Sequence, residues 1–180
     1  FKQDILEIKQ KINAILYLSK VELSSPKQLE EKLNNIVFLE TTSGNIYTLD
    51  DLDNNKVPLD FYEGFSELIH SIEDGTFKNA KFLTSGNQKT AGICEVKGFK
   101  KRVIYDRVGF DTYAILGAFI KKSDKDKGYI DQLGNRIAIY RKNKDSIIKR
   151  INEEEGYLDS QKDILNQIYE FLEPNIKKRG

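Results

Sequence analysis

The sequence predicts an α+β domain: a small antiparallel sheet of three to five strands, packed against N-terminal and C-terminal helices, with a helical and hairpin extension in front. Three observations carry that reading. Short apolar runs between 93 and 120 are separated by glycine-containing turn signals, as in a β-meander. The run Thr112–Ile120 is apolar on both alternating faces, which marks a strand covered on both sides. Stretches on either side of the strands repeat their apolar residues at helical spacing.

Taken in order, residues 4–18 read as a helix, with Ile5, Ile8, Ile12, Ile15 and Leu16 at helical spacing. Ser24-Ser25-Pro26 suits the end of that helix and the start of a short charged one over 26–34, since serine caps and proline fits a first turn. Ile36–Thr41 and Asn45–Leu49 read as a hairpin across Ser43-Gly44. Residues 50–58 are acidic and asparagine-rich, a loop that places a domain boundary before 59. Helix 59–74 carries the stripe Phe61, Phe65, Leu68, Ile69 and Ile72, and Gly75 stops it. His70 points away from that stripe, to the surface.

Strands follow at 93–97, 102–106 and 112–120, with a turn assigned to Gly98-Phe99 on the strength of glycine's tolerance for positive φ. In the last strand, strict alternation puts Tyr113, Ile115 and Phe119 on one face and Ala114, Leu116, Ala118 and Ile120 on the other. Ser123 or Asp124 is the expected cap of a helix running to about Ile151, lined by Tyr129, Leu133, Ile137, Tyr140, Ile147 and Ile151. A last helix spans 157–172, and Lys177-Lys178-Arg179 is an expected disordered tail. The expected division is 1–58 (extension), 59–155 (core) and 156–180 (C-terminal helix and tail).

Composition narrows the function. Apolar residues make up 39% and charged ones 32%, which suits a modest core beneath a heavily ionised surface. One cysteine and one histidine cannot assemble a zinc site or a histidine-based triad, and a lone thiol fits a reducing compartment. No run approaches the roughly 18 apolar residues of a membrane span, no secretory-leader pattern is present, and a cytoplasmic location with no membrane partner is expected. Phosphate-loop, dinucleotide, nucleophile-elbow and CxxC motifs are absent, so no cofactor is expected.

The net charge of +1 hides an uneven distribution. Residues 97–142 carry 12 Lys/Arg against five Asp/Glu, while the flanks are slightly acidic. A local surplus of that kind suggests an anionic partner. Phe99, Lys100, Lys101, Arg102 and Tyr105 interleave aromatic and basic side chains, the pattern that stacks bases and contacts phosphates, although packing within the hairpin uses aromatics equally well. Lys121-Lys122 ends the covered strand and so sits at a fixed place beside the sheet. Arg136 lies on an apolar helix stripe, where it must reach a carboxylate, a carbonyl or an anionic ligand; an internal ion pair and a ligand contact both stay open.

The runs ICEVKGFKKRVIYD, YAILGAFIKKSDKDK and LGNRIAIY resemble the RelE/HigB/ParE superfamily of bacterial toxins, nearest its phage-derived HigB-like branch. The matching positions are Glu95-Val96-Lys97, Arg102-Val103-Ile104-Tyr105, Phe119-Ile120-Lys121-Lys122-Ser123 and Arg136, over about residues 61–142. Lys97 stands where the family commonly has arginine, and Asp124-Lys125-Asp126 replaces a frequent proline. The resemblance implies a RelE-like core and the toxin of a toxin–antitoxin pair, cutting mRNA without metal, often on the ribosome. The implied partners are RNA and a cognate antitoxin, a helix-turn-helix protein. In such chemistry a ribose 2′-hydroxyl attacks the adjacent phosphorus, which calls for a base, cations and an acid. Lys97, Arg102, Lys121, Lys122, Arg136 and Tyr140 are the catalytic candidates. Lys100, Lys101, Tyr105 and Arg107 are the RNA-contacting ones. Two alternatives stay open: a ParE-like gyrase inhibitor without nuclease chemistry, and a non-catalytic nucleic-acid-binding module.

Overall fold

The computed structural model describes residues 2–23, 33–54, 59–83 and 90–177. The expected helix over 26–34 and the tail beyond 177 lie mostly outside the described residues, as does part of the acidic loop. The chain divides into two compact units, Phe1–Leu33 and Asn34–Gly180. The first unit contains helix α1 (Lys2–Leu23).

The second unit is a five-stranded mixed sheet with helices on both faces, an α+β fold. Its strands are β1 (Asn35–Phe38), β2 (Ala80–Phe82), β3 (Cys94–Gly98), β4 (Lys101–Arg107) and β5 (Thr112–Ile120), in the order β1-β5-β4-β3-β2. β3, β4 and β5 form the expected antiparallel meander, and β2, an unexpected strand, pairs antiparallel with β3. β1 departs from expectation: it runs parallel to β5, from Asn35 opposite Thr112 to Phe38 opposite Ile115. The predicted hairpin is reduced to a single bridge between Glu40 and Ile46, because the chain coils after Tyr47 into helix α2 (Tyr47–Asn54). Residues 34–54 therefore belong to the sheet unit, and the division falls at Leu33/Asn34 rather than in the acidic loop.

Helix α3 (Leu59–Glu73) ends at Gly75, whose φ of 77° is the left-handed turn expected there. It packs Phe65, Leu68, Ile69 and Ile72 against one sheet face together with Leu165, Ile168 and Leu172 of helix α5 (Tyr157–Lys177). Helix α4 (Lys127–Glu153) covers the other face through Tyr129, Leu133, Ile137, Tyr140 and Ile147. Its cap is Asp126, not Ser123 or Asp124: one carboxylate oxygen accepts from the Tyr129 N–H and the other from the Lys122 N–H. Those two backbone donors hold the Asp126 carboxyl below the usual range. The free edge of β1 is blunted by Gln161 of α5, whose buried side chain accepts from the Phe38 N–H at 2.8 Å.

β5 lies between β1 and β4 and is buried on both faces, as its composition requires. Its alternation breaks once. Ile104 pairs with Gly117 and Tyr105 with Ile115, so Leu116 is an extra, bulged residue. Beyond the bulge the faces exchange: Phe119 joins Ala114 and Leu116 beneath α4, and Ala118 joins Ile115 on the α3 side. The expected pairing of Phe119 with Ile115 is corrected accordingly. A side-chain period of two cannot survive one inserted residue.

Candidate nucleic-acid interface

β3 and β4 are joined by a two-residue turn, Phe99-Lys100, closed by the pairing of Gly98 with Lys101. The left-handed residue is Phe99, at φ 55°, rather than Gly98. A bulky side chain at positive φ is an uncommon backbone state, and here it lifts the ring clear of the sheet, 79% exposed. The Lys121 N–H donates to the Lys100 carbonyl at 2.7 Å, so the end of β5 lies against this turn. Lys97 stands across from Arg102 on the neighbouring strand. The fold thus gathers Lys97, Lys100, Lys101, Arg102, Lys121 and Lys122 at one end of the sheet.

Their environments differ. Lys97, Lys100 and Lys122 are exposed and Lys121 is half-buried. The Lys100 ammonium lies 5.6 Å from the Phe99 ring centre, and that of Lys121 lies 5.5 Å from the Tyr129 ring. Among the described residues, no ion pair engages these four lysines. Lys101 turns to the opposite face, its ammonium 5.1 Å from the Phe61 ring and its stem laid across Gly64, where any Cβ would collide with it.

Arg102 is largely consumed by the turn. Its Nη1 donates to the Phe99 and Lys101 carbonyls at 2.6 and 2.9 Å, and its Nε lies 3.8 Å from Glu95. Glu95 is buried and also accepts from the Tyr129 hydroxyl at 3.1 Å, with Lys81 at 3.4 Å. Arg102 therefore holds the loop that displays Phe99 and Lys100.

The other candidates lie elsewhere. Arg107 sits at the far end of β4, about 20 Å along the strand from Lys101, and donates to the Gly109 and Phe110 carbonyls of its own turn. Tyr105 is buried and stacks on Phe77, with ring centres 5.7 Å apart, so it offers no face to a base. Burial, more than any neighbouring group, pushes its hydroxyl far above the ordinary phenol range.

Arg136 settles the question its position raised: it forms an internal ion pair. Its two terminal nitrogens grip Asp51 at 2.9 and 3.0 Å, one of them also donates to the Leu116 carbonyl at 2.7 Å, and the Tyr47 ring lies 4.1 Å from the guanidinium. Asp51 in turn accepts from the Ala118 N–H at 3.1 Å, and Gly117 leaves the space the pair occupies.

Tyr140 is fully buried, donating to Asp106 at 2.6 Å, with the Lys144 ammonium 3.0 Å from the same oxygen. Burial and then Asp106 push its hydroxyl far above the ordinary phenol range. Tyr140→Phe is expected to lower stability by about 1.5–3 kcal/mol, the worth of a hydrogen bond to a charged group, with Lys144 still paired to the Asp106 oxygen, while leaving RNA binding unchanged. Chemical denaturation alongside an RNA titration measures both.

No protein-family model matches the chain, and no curated protein matches it. The site is therefore read from its own chemistry. Among the described residues it consists of ammonium groups in no ion pair and one projecting aromatic ring, an arrangement suited to a chain of phosphates with unstacked bases. Two parts of it escaped the sequence reading. On its sequence Phe99 suits packing or stacking alike, and its 79% exposure decides between them. Asp51 and Asp106, which engage Arg136 and Tyr140, carry no sequence signal of those partnerships. Among the described residues, no helix is long and apolar enough to cross a membrane.

Proposed function

We propose that this chain binds single-stranded RNA along the sheet end formed by the Phe99-Lys100 turn and the end of β5, as a toxin resembling the RelE/HigB/ParE superfamily that cuts mRNA. One observation supports this most: Lys97, Lys100, Lys121 and Lys122 lie at one sheet end beside an exposed phenylalanine, with no acid pairing them among the described residues. The lysines take phosphates and Phe99 stacks a base. In the cleavage reading, Lys97, Lys121 and Lys122 supply cations to the phosphorane, and an antitoxin masks the rim with an acidic segment. A second reading, a non-catalytic RNA-binding module, is favoured by the internal engagement of Arg136 and Tyr140, which leaves fewer groups for proton transfer.

The test is a titration with a labelled single-stranded RNA at several salt concentrations, paired with a cleavage assay with and without ribosomes. Salt-dependent binding with new 2′,3′-cyclic phosphate ends supports the toxin. Binding without cut ends, under both conditions, selects the module. An absence of binding even at low salt overturns both.

A further inference from the structure

Beside the rim, a cleft of about 410 Å³ lies between α3 and the end of the sheet, lined in part by Glu67, His70, Lys78, Asn79, Lys97 and Lys101. That is room enough for a small ligand. Lys97 belongs to cleft and rim alike, so the two are continuous. The wall formed by residues 76–79 is tied on both sides. The Phe77 N–H donates to the Ser71 carbonyl at 3.0 Å, and the Lys97 N–H donates to the Asn79 carbonyl at 3.3 Å. Phe77 and Asn79 are left-handed, at φ 46° and 61°, and flank Lys78. A bulky side chain in that state is an uncommon strain of the kind that gathers at functional sites.

The chain's single histidine sits in this cleft. Its Nδ1 lies 3.2 Å from Oε1 of Glu73, a buried carboxylate that also accepts from the Tyr169 hydroxyl at 3.0 Å. Glu73 thus keeps the proton of the neutral ring on Nδ1 and leaves Nε2 its lone pair. On the Nε2 side stands Asp74, which lines the cleft; its Oδ2 is 3.7 Å away, beyond hydrogen-bond reach but near enough to favour an imidazolium once a proton arrives. A carboxylate-held imidazole with an open Nε2 is suited to general-base work.

We propose, resting on the cleavage reading above, that RNA is cut in this cleft and that His70 is the base. A strand laid on the rim places one ribose in the cleft. Its 2′-hydroxyl gives its proton to Nε2 of His70 as the 2′-oxygen bonds to the adjacent phosphorus. The bond from phosphorus to the 5′-oxygen breaks, and that oxygen leaves with a proton from the Lys97 ammonium. The products are a 2′,3′-cyclic phosphate and a 5′-hydroxyl end; solvent then takes the proton from His70 and restores that of Lys97. Lys78 and Lys101 bring positive charge to the phosphorane.

The full chain and His70→Gln are compared on a labelled single-stranded RNA by single-turnover cleavage, binding and melting. The variant should lose roughly a hundredfold or more in cleavage rate, the usual share of a general base. Binding and melting should hardly change, because the His70 side chain is 58% exposed and such pairs add little stability. A second measurement uses the parent chain alone, whose one imidazole gives one set of ring signals in an NMR spectrum. In the free protein the neutral ring should carry its proton on Nδ1, and the signals should shift on adding the same RNA with 2′-O-methyl riboses, which cannot be cut. His70→Gln cutting at the parent rate overturns the assignment and leaves the cleavage reading standing. A parent chain that binds RNA without cutting it overturns both. A neutral ring protonated on Nε2, or signals indifferent to RNA, overturns the assignment alone.

Discussion

Asp51→Ala should be among the most damaging single substitutions in this chain, lowering stability by about 3–5 kcal/mol, the usual cost of stranding one partner of a buried ion pair. The pair is about nine-tenths buried on both sides, and Arg136 has no alternative carboxylate among the groups it touches. For a unit of this size the melting temperature should fall by about 10 °C, read by calorimetry. Pairing is not the same as net stabilisation. Burial outweighs Arg136 and the Ala118 N–H in setting the Asp51 carboxyl, which lies above its ordinary value. A folded pKa above the unfolded one means that the linked contribution favours folding below the unfolded value and is lost as pH rises through the folded one. At neutral pH the carboxylate is thus held at a desolvation cost. Replacing both partners, Asp51→Leu with Arg136→Met, should recover most of the loss. If Asp51→Ala is neutral, or the double variant is no better than the single one, the ion pair is not what Arg136 is for, and a ligand role for that arginine returns.

The second large effect concerns the rim. Changing Lys97, Lys100, Lys121 and Lys122 together to alanine should weaken binding of single-stranded RNA on the order of a hundredfold near physiological salt, and flatten the log–log salt dependence by about 3, since each single-strand phosphate contact contributes about 0.7. Melting should hardly move, because these ammonium groups pair with no acid among the described residues. Arg107→Ala is the control: at the other end of β4, bonded to its own turn, it should leave both affinity and slope unchanged. Phe99→Ala should reduce affinity with little change in slope, since stacking is not ionic. Equal losses for Arg107→Ala and the rim variant would mean that positive charge in general, and not this sheet end, attracts the RNA.

Most of what could be read beforehand was periodic. The meander over 93–120 follows from runs whose alternation and glycine punctuation are local, and α3, α4 and α5 follow from stripes of one spacing. β2 went unread because three residues, Ala80–Phe82, are too few to show a period. β1 was legible as a strand but not as a parallel neighbour of β5, because nothing within Asn35–Phe38 encodes a partner more than seventy residues away. The bulge at Leu116 was equally hidden: TYAILGAFI alternates without a flaw on paper, and only pairing with β4 shows where one residue is left over.

The same boundary runs through the candidate site. By itself, the sequence determined that the cations cluster between 97 and 142 and that Lys121 and Lys122 end a covered strand, because charge density and strand burial are properties of neighbouring residues. Only the tertiary structure decided which cations remain available. Arg136 meets Asp51 across 85 residues, Tyr140 meets Asp106 across 34, and, among the described residues, no ion pair engages the four lysines at one sheet end. The physical reason is that a charge is satisfied through space, by whichever partner the fold carries within about 3 Å, and the order of residues along a chain does not specify that distance.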